Sequence, residues 1–171
     1  MSKKNEVTLL WAPWRIPYLK KVTRDQNGAC FFCDYLAAPK KDRKNLVVHR
    51  GKTCFTVMNR FPYAAGHLLI APYAHKDDLG AFTAEERAET FSETVRMQRI
   101  LERLMKPQGF NLGLNIGRSA GAGVLGHLHF HLVPRWNGDS NFMTTAAQVR
   151  VIPQALEELH GELQKALRSV R

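Results

Sequence analysis

Residues 127–135 read His127-Leu128-His129-Phe130-His131-Leu132-Val133-Pro134-Arg135, placing three of the chain's seven histidines on alternate positions of an otherwise apolar run. On a β-strand, side chains alternate faces with period two. His127, His129 and His131 would therefore project from one face while Leu128, Phe130 and Leu132 fill the other. A half-buried strand with a wet side accounts for one such histidine. Three in register point to chemistry, because imidazole offers both a proton and a lone pair near neutral pH. A single metal held by all three is disfavoured. At about 3.3 Å rise per residue, His127 and His131 stand roughly 13 Å apart at their Cα atoms, whereas zinc ligands converge to about 2 Å from one ion. Neighbouring pairs could share an ion. The other reading makes the central His129 a nucleophile with partners on either side.

The stretch before the histidines suggests what such a nucleophile would attack. Between 109 and 126 the chain places Gly109, Gly113, Gly117, Gly121, Gly123 and Gly126. Glycine permits close backbone approach and positive φ, so successive N–H groups can converge on an anion such as phosphate. An ordinary hairpin or bulge connection is the plainer alternative. Gly121-Ala122-Gly123-Val124-Leu125-Gly126 formally matches G-x-G-x-x-G. The dinucleotide fingerprint, however, needs a strand before it and a helix after it, and here a period-two run follows at once. A Rossmann reading is rejected.

Three cysteines complete the reactive set: Cys30 and Cys33 as C-x₂-C, and Cys54 alone in a strand-like Thr-Cys-Phe-Thr-Val run. An odd count and no secretory signal argue against a disulfide framework. The pair reads as a zinc half-site, a redox pair or a turn with two thiols, and zinc would require two more ligands from elsewhere. No βαβ context supports a thioredoxin-like pair.

Taken together, these motifs resemble the histidine triad (HIT) family, whose signature alternates three histidines with hydrophobic residues. The likeness extends to Asn59-Arg60-Phe61-Pro62 running into Gly66-His67-Leu68-Leu69-Ile70-Ala71-Pro72, to Asn111 through Asn115, and to Pro134-Arg135, covering residues 28–137. The flanks Leu10-Trp11-Ala12-Pro13-Trp14-Arg15 and Trp136 through Phe142 are similar to the branch that contains diadenosine tetraphosphate phosphorylases.

The resemblance implies that His129 attacks the α-phosphorus of a nucleotide. It gives a nucleotidyl-histidine intermediate that water, or phosphate in the phosphorylases, resolves. His131 and His67 would contact the phosphate and orient the site, Asn59 would bond the ribose hydroxyls, and Asn115 would face the nucleotide. Amides around Gly121 and Gly123 would stabilise charge on the phosphoryl oxygens. Many family members carry Ser, Thr or Gln three or four residues before the triad, to bond the bridging oxygen of the leaving group. Here Gly123 and Val124 stand there, leaving loop amides or Ser119 to substitute. In zinc-containing members the C-x₂-C pair is completed by the residues matching His75 and His127, so the resemblance implies a structural zinc on Cys30, Cys33, His75 and His127. No organic cofactor is implied.

The elements that must position these residues read as α+β. Val47-Val48, Cys54–Met58, Leu68–Ala71, Leu112–Ile116 and Leu128–Val133 are strand-like. Thr83-Ala84-Glu85-Glu86 offers a capping box for a long central helix to about Met105, with Phe91, Val95, Leu101 and Leu104 as its apolar spacing. A last helix starts near Pro153, with Leu156, Leu159, Leu163 and Leu167 as one stripe. Strands in a run around one long helix indicate an antiparallel sheet of about five strands. The family resemblance adds that two protomers join these sheets edge to edge, giving a homodimer with a protected edge.

The 171 residues, 44% of them hydrophobic, fit one HIT-like domain: a core at 28–137, an N-terminal arm at 1–27 and a C-terminal extension at 138–171. Twenty-five Lys and Arg against fifteen Asp and Glu give a net charge of +10, clustered at Lys3-Lys4, Lys20-Lys21 and Lys40-Lys41-Asp42-Arg43-Lys44. Such a field attracts polyphosphates or nucleic acid, though no nucleic-acid reading module is present. With neither a signal-peptide pattern nor a membrane-spanning run, the expected location is the cytoplasm. The leading expectation is a phosphorylase or hydrolase of dinucleoside polyphosphates. The alternatives are an enzyme cleaving nucleoside phosphoramidates or AMP adducts, and a nucleotide- or nucleic-acid-binding module with little turnover.

Overall fold

A computed structural model describes residues 30–139 and 152–169. At its centre β1 (Val47–Arg50), β2 (Cys54–Met58), β3 (Leu68–Pro72), β4 (Gly109–Leu114) and β5 (Phe130–Arg135) form an antiparallel sheet in the order β1-β2-β3-β5-β4. Because β5 returns between β3 and β4, it lies next to the His67–Pro72 segment, and β4 is left at the edge.

Every residue of β2 and β3 is buried, since both faces of the sheet are covered. Period-two alternation sends Leu68, Ile70 and Leu132 toward Met97, Ile100 and Leu101 of the central helix α3 (Ala84–Met105) and toward Leu159 and Leu163 of α4 (Leu156–Ser169). The opposite face, with Phe55, Val57, Leu69 and Ala71, packs on Phe32 of the short helix α1 (Phe31–Ala37). A further single turn, α2 (Asp42–Asn45), carries part of the Lys40–Lys44 basic run, whose lysines are exposed.

The expected capping box opens α3. Thr83 Oγ1 accepts from the Glu86 amide at 3.1 Å, and the Glu86 carboxylate accepts from the Thr83 amide at 2.6 Å. The helix ends at Lys106, in the left-handed conformation before Pro107. Of its expected apolar positions Leu101 and Leu104 do face the core, whereas Phe91 is 63% exposed. The inward side of its first half is polar: Glu86, Thr90, Glu93 and Thr94. That side is tolerated because the strands supply partners. Glu93 accepts from Thr56 Oγ1 at 2.9 Å and pairs with His49 Nδ1 at 2.8 Å, while Glu89 receives the Lys52 and Thr53 amides. Helix α4 begins at Leu156, three residues past Pro153, and its leucine stripe packs on the core as expected.

Two strand starts move. β4 starts at Gly109 rather than Leu112, and β5 starts at Phe130 rather than Leu128. The ladder between β3 and β5 stops at Ile70↔Phe130, and the Leu128 amide bonds instead to the Lys76 carbonyl at 2.7 Å. Of the three alternating histidines only His131 therefore sits in the sheet, while His127 and His129 lie in the segment leading to it. The arm at 1–27, with Trp11 and Trp14, and Asn141 and Phe142 fall outside the described residues. Among those described, no helix is long and apolar enough to cross a membrane.

Candidate active site and metal centre

The triad histidines do share one side of the sheet, but that side is covered. His127 is fully buried and His129 is 5% exposed. The cover is α1: the Phe32 ring lies 4.9 Å from the rings of both His127 and His129. The sequence assigned Phe32 no role. Its place in the Cys30-Phe31-Phe32-Cys33 run is the available signal, because whatever fixes Cys30 and Cys33 also fixes the two residues between them.

His129 Nδ1 lies 2.9 Å from the His127 carbonyl oxygen. A carbonyl only accepts, so this nitrogen carries the proton and Nε2 keeps its lone pair. Burial lowers the His129 pKa, and the bond to the carbonyl opposes that shift only in part. His131 is pushed down to about 4, first by burial and then by the neighbouring His129. Both rings are thus neutral at pH 7, the state in which imidazole is a nucleophile or a one-proton donor.

His67, 1% exposed, reaches across from the start of β3. Its Nε2 is 2.9 Å from His131 Nδ1. Tyr63 lies over both rings, tilted at 4.7 Å from His67 and stacked at 5.9 Å from His131. Asn59 sits beside them. Its Oδ1 accepts from the Phe61 amide at 2.9 Å and its Nδ2 is 3.3 Å from His67 Nδ1, so it caps a turn and touches a site histidine together.

The glycine loop turns through Gly117, Gly121 and Gly126 at φ of +79°, +85° and +83°, conformations that glycine adopts without penalty. Ser119 lies exposed on the helical turn Arg118–Ala120. The Gly121 and Ala122 amides bond within the loop, to Arg118 and Gly117, which leaves fewer amides than the glycine count suggests to meet an anion. Asn115 Nδ2 donates to the Gly121 carbonyl at 3.4 Å and so ties β4 to the loop. Gly123 is half-buried in the same loop.

Cys30, Cys33, His75 and His127 form a second cluster, with one donor atom from each all within 4.8 Å of one another. His127 Nδ1 lies 3.3 Å from Cys30 Sγ and 3.6 Å from Cys33 Sγ, and His75 Nδ1 lies 3.3 Å from Cys33 Sγ. A sulfur and a nitrogen at tetrahedral positions on one zinc stand about 3.6 Å apart, so the donors fit the ion. The tautomer fits as well. His127 Nε2 donates to the Pro72 carbonyl at 2.9 Å, leaving the Nδ1 lone pair toward the thiols, and burial keeps that ring neutral. The cluster is consistent with a structural zinc site. His127 thus belongs to this cluster while its own carbonyl accepts from His129.

Residues 40–138 match the family model described as the HIT domain. The chain belongs to the HIT family. This HIT protein is 39% identical over 162 residues to "AP-4-A phosphorylase" of Mycobacterium tuberculosis strain H37Rv, spanning 92% of this chain and 83% of the relative. It is 29% identical over 93 residues to the "Bis(5'-nucleosyl)-tetraphosphatase [asymmetrical]" of Schizosaccharomyces pombe, covering 54% of this chain and 50% of that one. A zinc-bound histidine triad family protein from Mycobacterium smegmatis superposes with a TM-score of 0.67 at 26% identity, covering 83% of this chain and 95% of the other. The protein is accordingly a HIT-family enzyme of the nucleotidyl transferase or hydrolase type.

Proposed function

We propose that this enzyme cleaves dinucleoside polyphosphates of the diadenosine tetraphosphate kind at the α-phosphorus, through a covalent nucleotidyl-His129 intermediate. The observation that carries this reading is the tautomer of His129: Nδ1–H is held by the His127 carbonyl and Nε2 is bare. Nε2 attacks phosphorus, a P–N bond forms and the bond to the polyphosphate leaving group breaks. The ring becomes a charged imidazolium whose Nδ1–H remains on the carbonyl, which offsets the new charge. Phosphate or water then attacks the same phosphorus, the P–N bond breaks and neutral His129 returns. His131 and His67 contact the phosphoryl oxygens and orient the site. Asn59 is placed on the ribose, and Asn115, Ser119, Gly121 and Gly123 on the nucleotide side of the loop. Zinc on Cys30, Cys33, His75 and His127 would anchor α1 over the triad and leave the chemistry to the histidines.

We assign residues 1–171 to one domain and infer a homodimer paired along β4, where Leu112 is 50% exposed on an edge strand. The three free thiols among the described residues suit a reducing compartment, and we place the protein in the cytoplasm. Nucleic acid is a lesser candidate partner, supported by net charge alone.

The deciding experiment incubates diadenosine tetraphosphate with the pure protein, with and without inorganic phosphate. Phosphate-dependent ADP plus ATP establishes a phosphorylase. AMP plus ATP without phosphate makes the enzyme a hydrolase. No product in either tube overturns the assignment, and nucleoside phosphoramidates, open to the same attack by His129, become the next substrates to try.

A further inference from the structure

Four hydrogen bonds beside the nucleophile have only one consistent proton assignment. The Phe61 amide can only donate, so the oxygen of Asn59 faces it at 2.9 Å and the amide NH₂ faces His67 Nδ1 at 3.3 Å. The Tyr63 amide also only donates, and it points at the same Nδ1 at 3.1 Å. His67 Nδ1 is therefore an acceptor, and a neutral His67 must carry its proton on Nε2. That proton faces His131 Nδ1 at 2.9 Å, so His131 Nδ1 also accepts, and the His131 proton lies on Nε2. His131 Nε2 is buried and has no hydrogen-bond partner among the described residues. A buried N–H left unmatched costs free energy unless something arrives to accept it.

We infer that Asn59 is a positioning residue: through His67 it fixes the proton of His131 on Nε2, where it is presented to an incoming acceptor such as a phosphoryl oxygen. The ribose contact proposed for Asn59 does not require this, and the relay does not require the ribose contact. The catalytic value of the relay rests on the proposed reaction at His129, whereas the tautomers themselves do not. The donor is useful because it is set in advance. A ring free to place its proton on either nitrogen would present a lone pair to an anionic oxygen part of the time and repel it. Tyr63 covers the two rings and holds them out of water, which would otherwise satisfy Nε2 and let the proton exchange sides.

The test is ¹⁵N NMR of the histidine rings in the zinc-loaded, full-length protein near pH 7, without substrate. The expected wild-type pattern is a neutral ring with Nε2–H at both His67 and His131, and Nδ1–H at His129. His160, whose Nε2 donates to the Val47 carbonyl at 2.8 Å on the far side of the sheet, reports that a variant has folded. In Asn59→Asp the carboxylate still accepts from the Phe61 amide but now faces Nδ1 with a second acceptor. His67 Nδ1 is expected to become protonated. In Asn59→Ala one of the two donors is gone. The His67 and His131 signals are expected to shift toward a mixture of tautomers, and kcat to fall about tenfold in addition to any rise in KM from the lost ribose contact. Wild-type ring signals in both folded variants overturn the inference, as does an Nδ1–H tautomer of His131 in the parent protein. A raised KM with unchanged kcat and unchanged tautomers makes Asn59 a substrate ligand only, which also overturns it. Failure of the reaction reading shows separately, as full turnover by His129→Ala.

Discussion

Gly126→Ala separates the metal centre from the backbone that carries it. Gly126 has φ +83°, and a Cβ built there falls 2.7 Å from His75 Nε2. Two costs follow, and only one depends on zinc. The left-handed backbone costs an alanine about 1–2 kcal/mol with or without metal. For a chain of this size, that lowers Tm by roughly 2–8 °C. The steric cost falls on the tip of an exposed ring, which can swing aside freely in the metal-free protein. With zinc bound the ring cannot swing, because reaching an ordinary contact of about 3.5 Å requires withdrawal by about 0.8 Å, and metal–ligand distances tolerate only about 0.2 Å. His75 should then leave the ion. If affinity falls by about 10²-fold, stability at saturating zinc drops by a further ~2.7 kcal/mol. The assay is thermal unfolding of wild type and Gly126→Ala, zinc-loaded and chelator-treated, with competitive zinc titration. Gly113→Ala is the control, since no atom lies within 4 Å of its Cβ position and its φ is not positive. An equal Tm loss in both metal states, or an unchanged zinc affinity, would refute the assignment of His75 as a ligand.

His129→Ala should lower turnover of diadenosine tetraphosphate by about 10³-fold or more, since no other ring in the site presents a bare Nε2. Equilibrium binding of a nucleotide product should change little by comparison. Cys54 is fully buried, with its pKa pushed up to about 12 by desolvation and by Glu89 and Glu93. At pH 8.5 iodoacetamide should label Cys30 and Cys33 after zinc removal but not Cys54, and mass spectrometry of peptides reads the difference. Because the folded pKa of Cys54 is raised, its contribution to stability should be present below about pH 8.5 and lost between there and about 12. Thr83→Ala removes one half of the α3 capping box and should cost about 1 kcal/mol, seen as a Tm lower by about 2–4 °C. Glu86, held below the usual carboxylate range first by Lys76 and then by the Thr83 amide, contributes stability above its unfolded pKa and loses it as pH falls. Lys76→Met should therefore lower Tm at pH 7 and have little effect at pH 3.

The local chemistry of this chain was legible in one dimension. Alternation placed three histidines on one side, the C-x₂-C pair marked half of a Cys/His cluster consistent with a zinc site, and Thr83 with Glu86 marked the start of α3, because strand period, ligand spacing and capping are all properties of a few consecutive residues. The family likeness then added His67, His75, Asn59 and Asn115 as candidate site residues, which no local pattern singles out. What the fold alone decided depends on long-range contact. In α3 the spacing holds at Leu101 and Leu104 but fails at Phe91, because the inward side of the first half is taken by acidic residues: Glu89 and Glu93 find partners on β1, on β2 and in the turn between them, and a carboxylate with partners leaves no hydrophobic trace in the sequence. The start of β5 moved because a strand continues only while its neighbour offers ladder partners, and β3 stops doing so at Ile70. The division of labour among the histidines was decided the same way. Pro72 and His127 supply the carbonyls that set the tautomers of His127 and His129, while Asn59 and Tyr63 set that of His67. Which nitrogen of an imidazole holds its proton is a matter of what lies within hydrogen-bond reach of it, and sequence spacing does not record that.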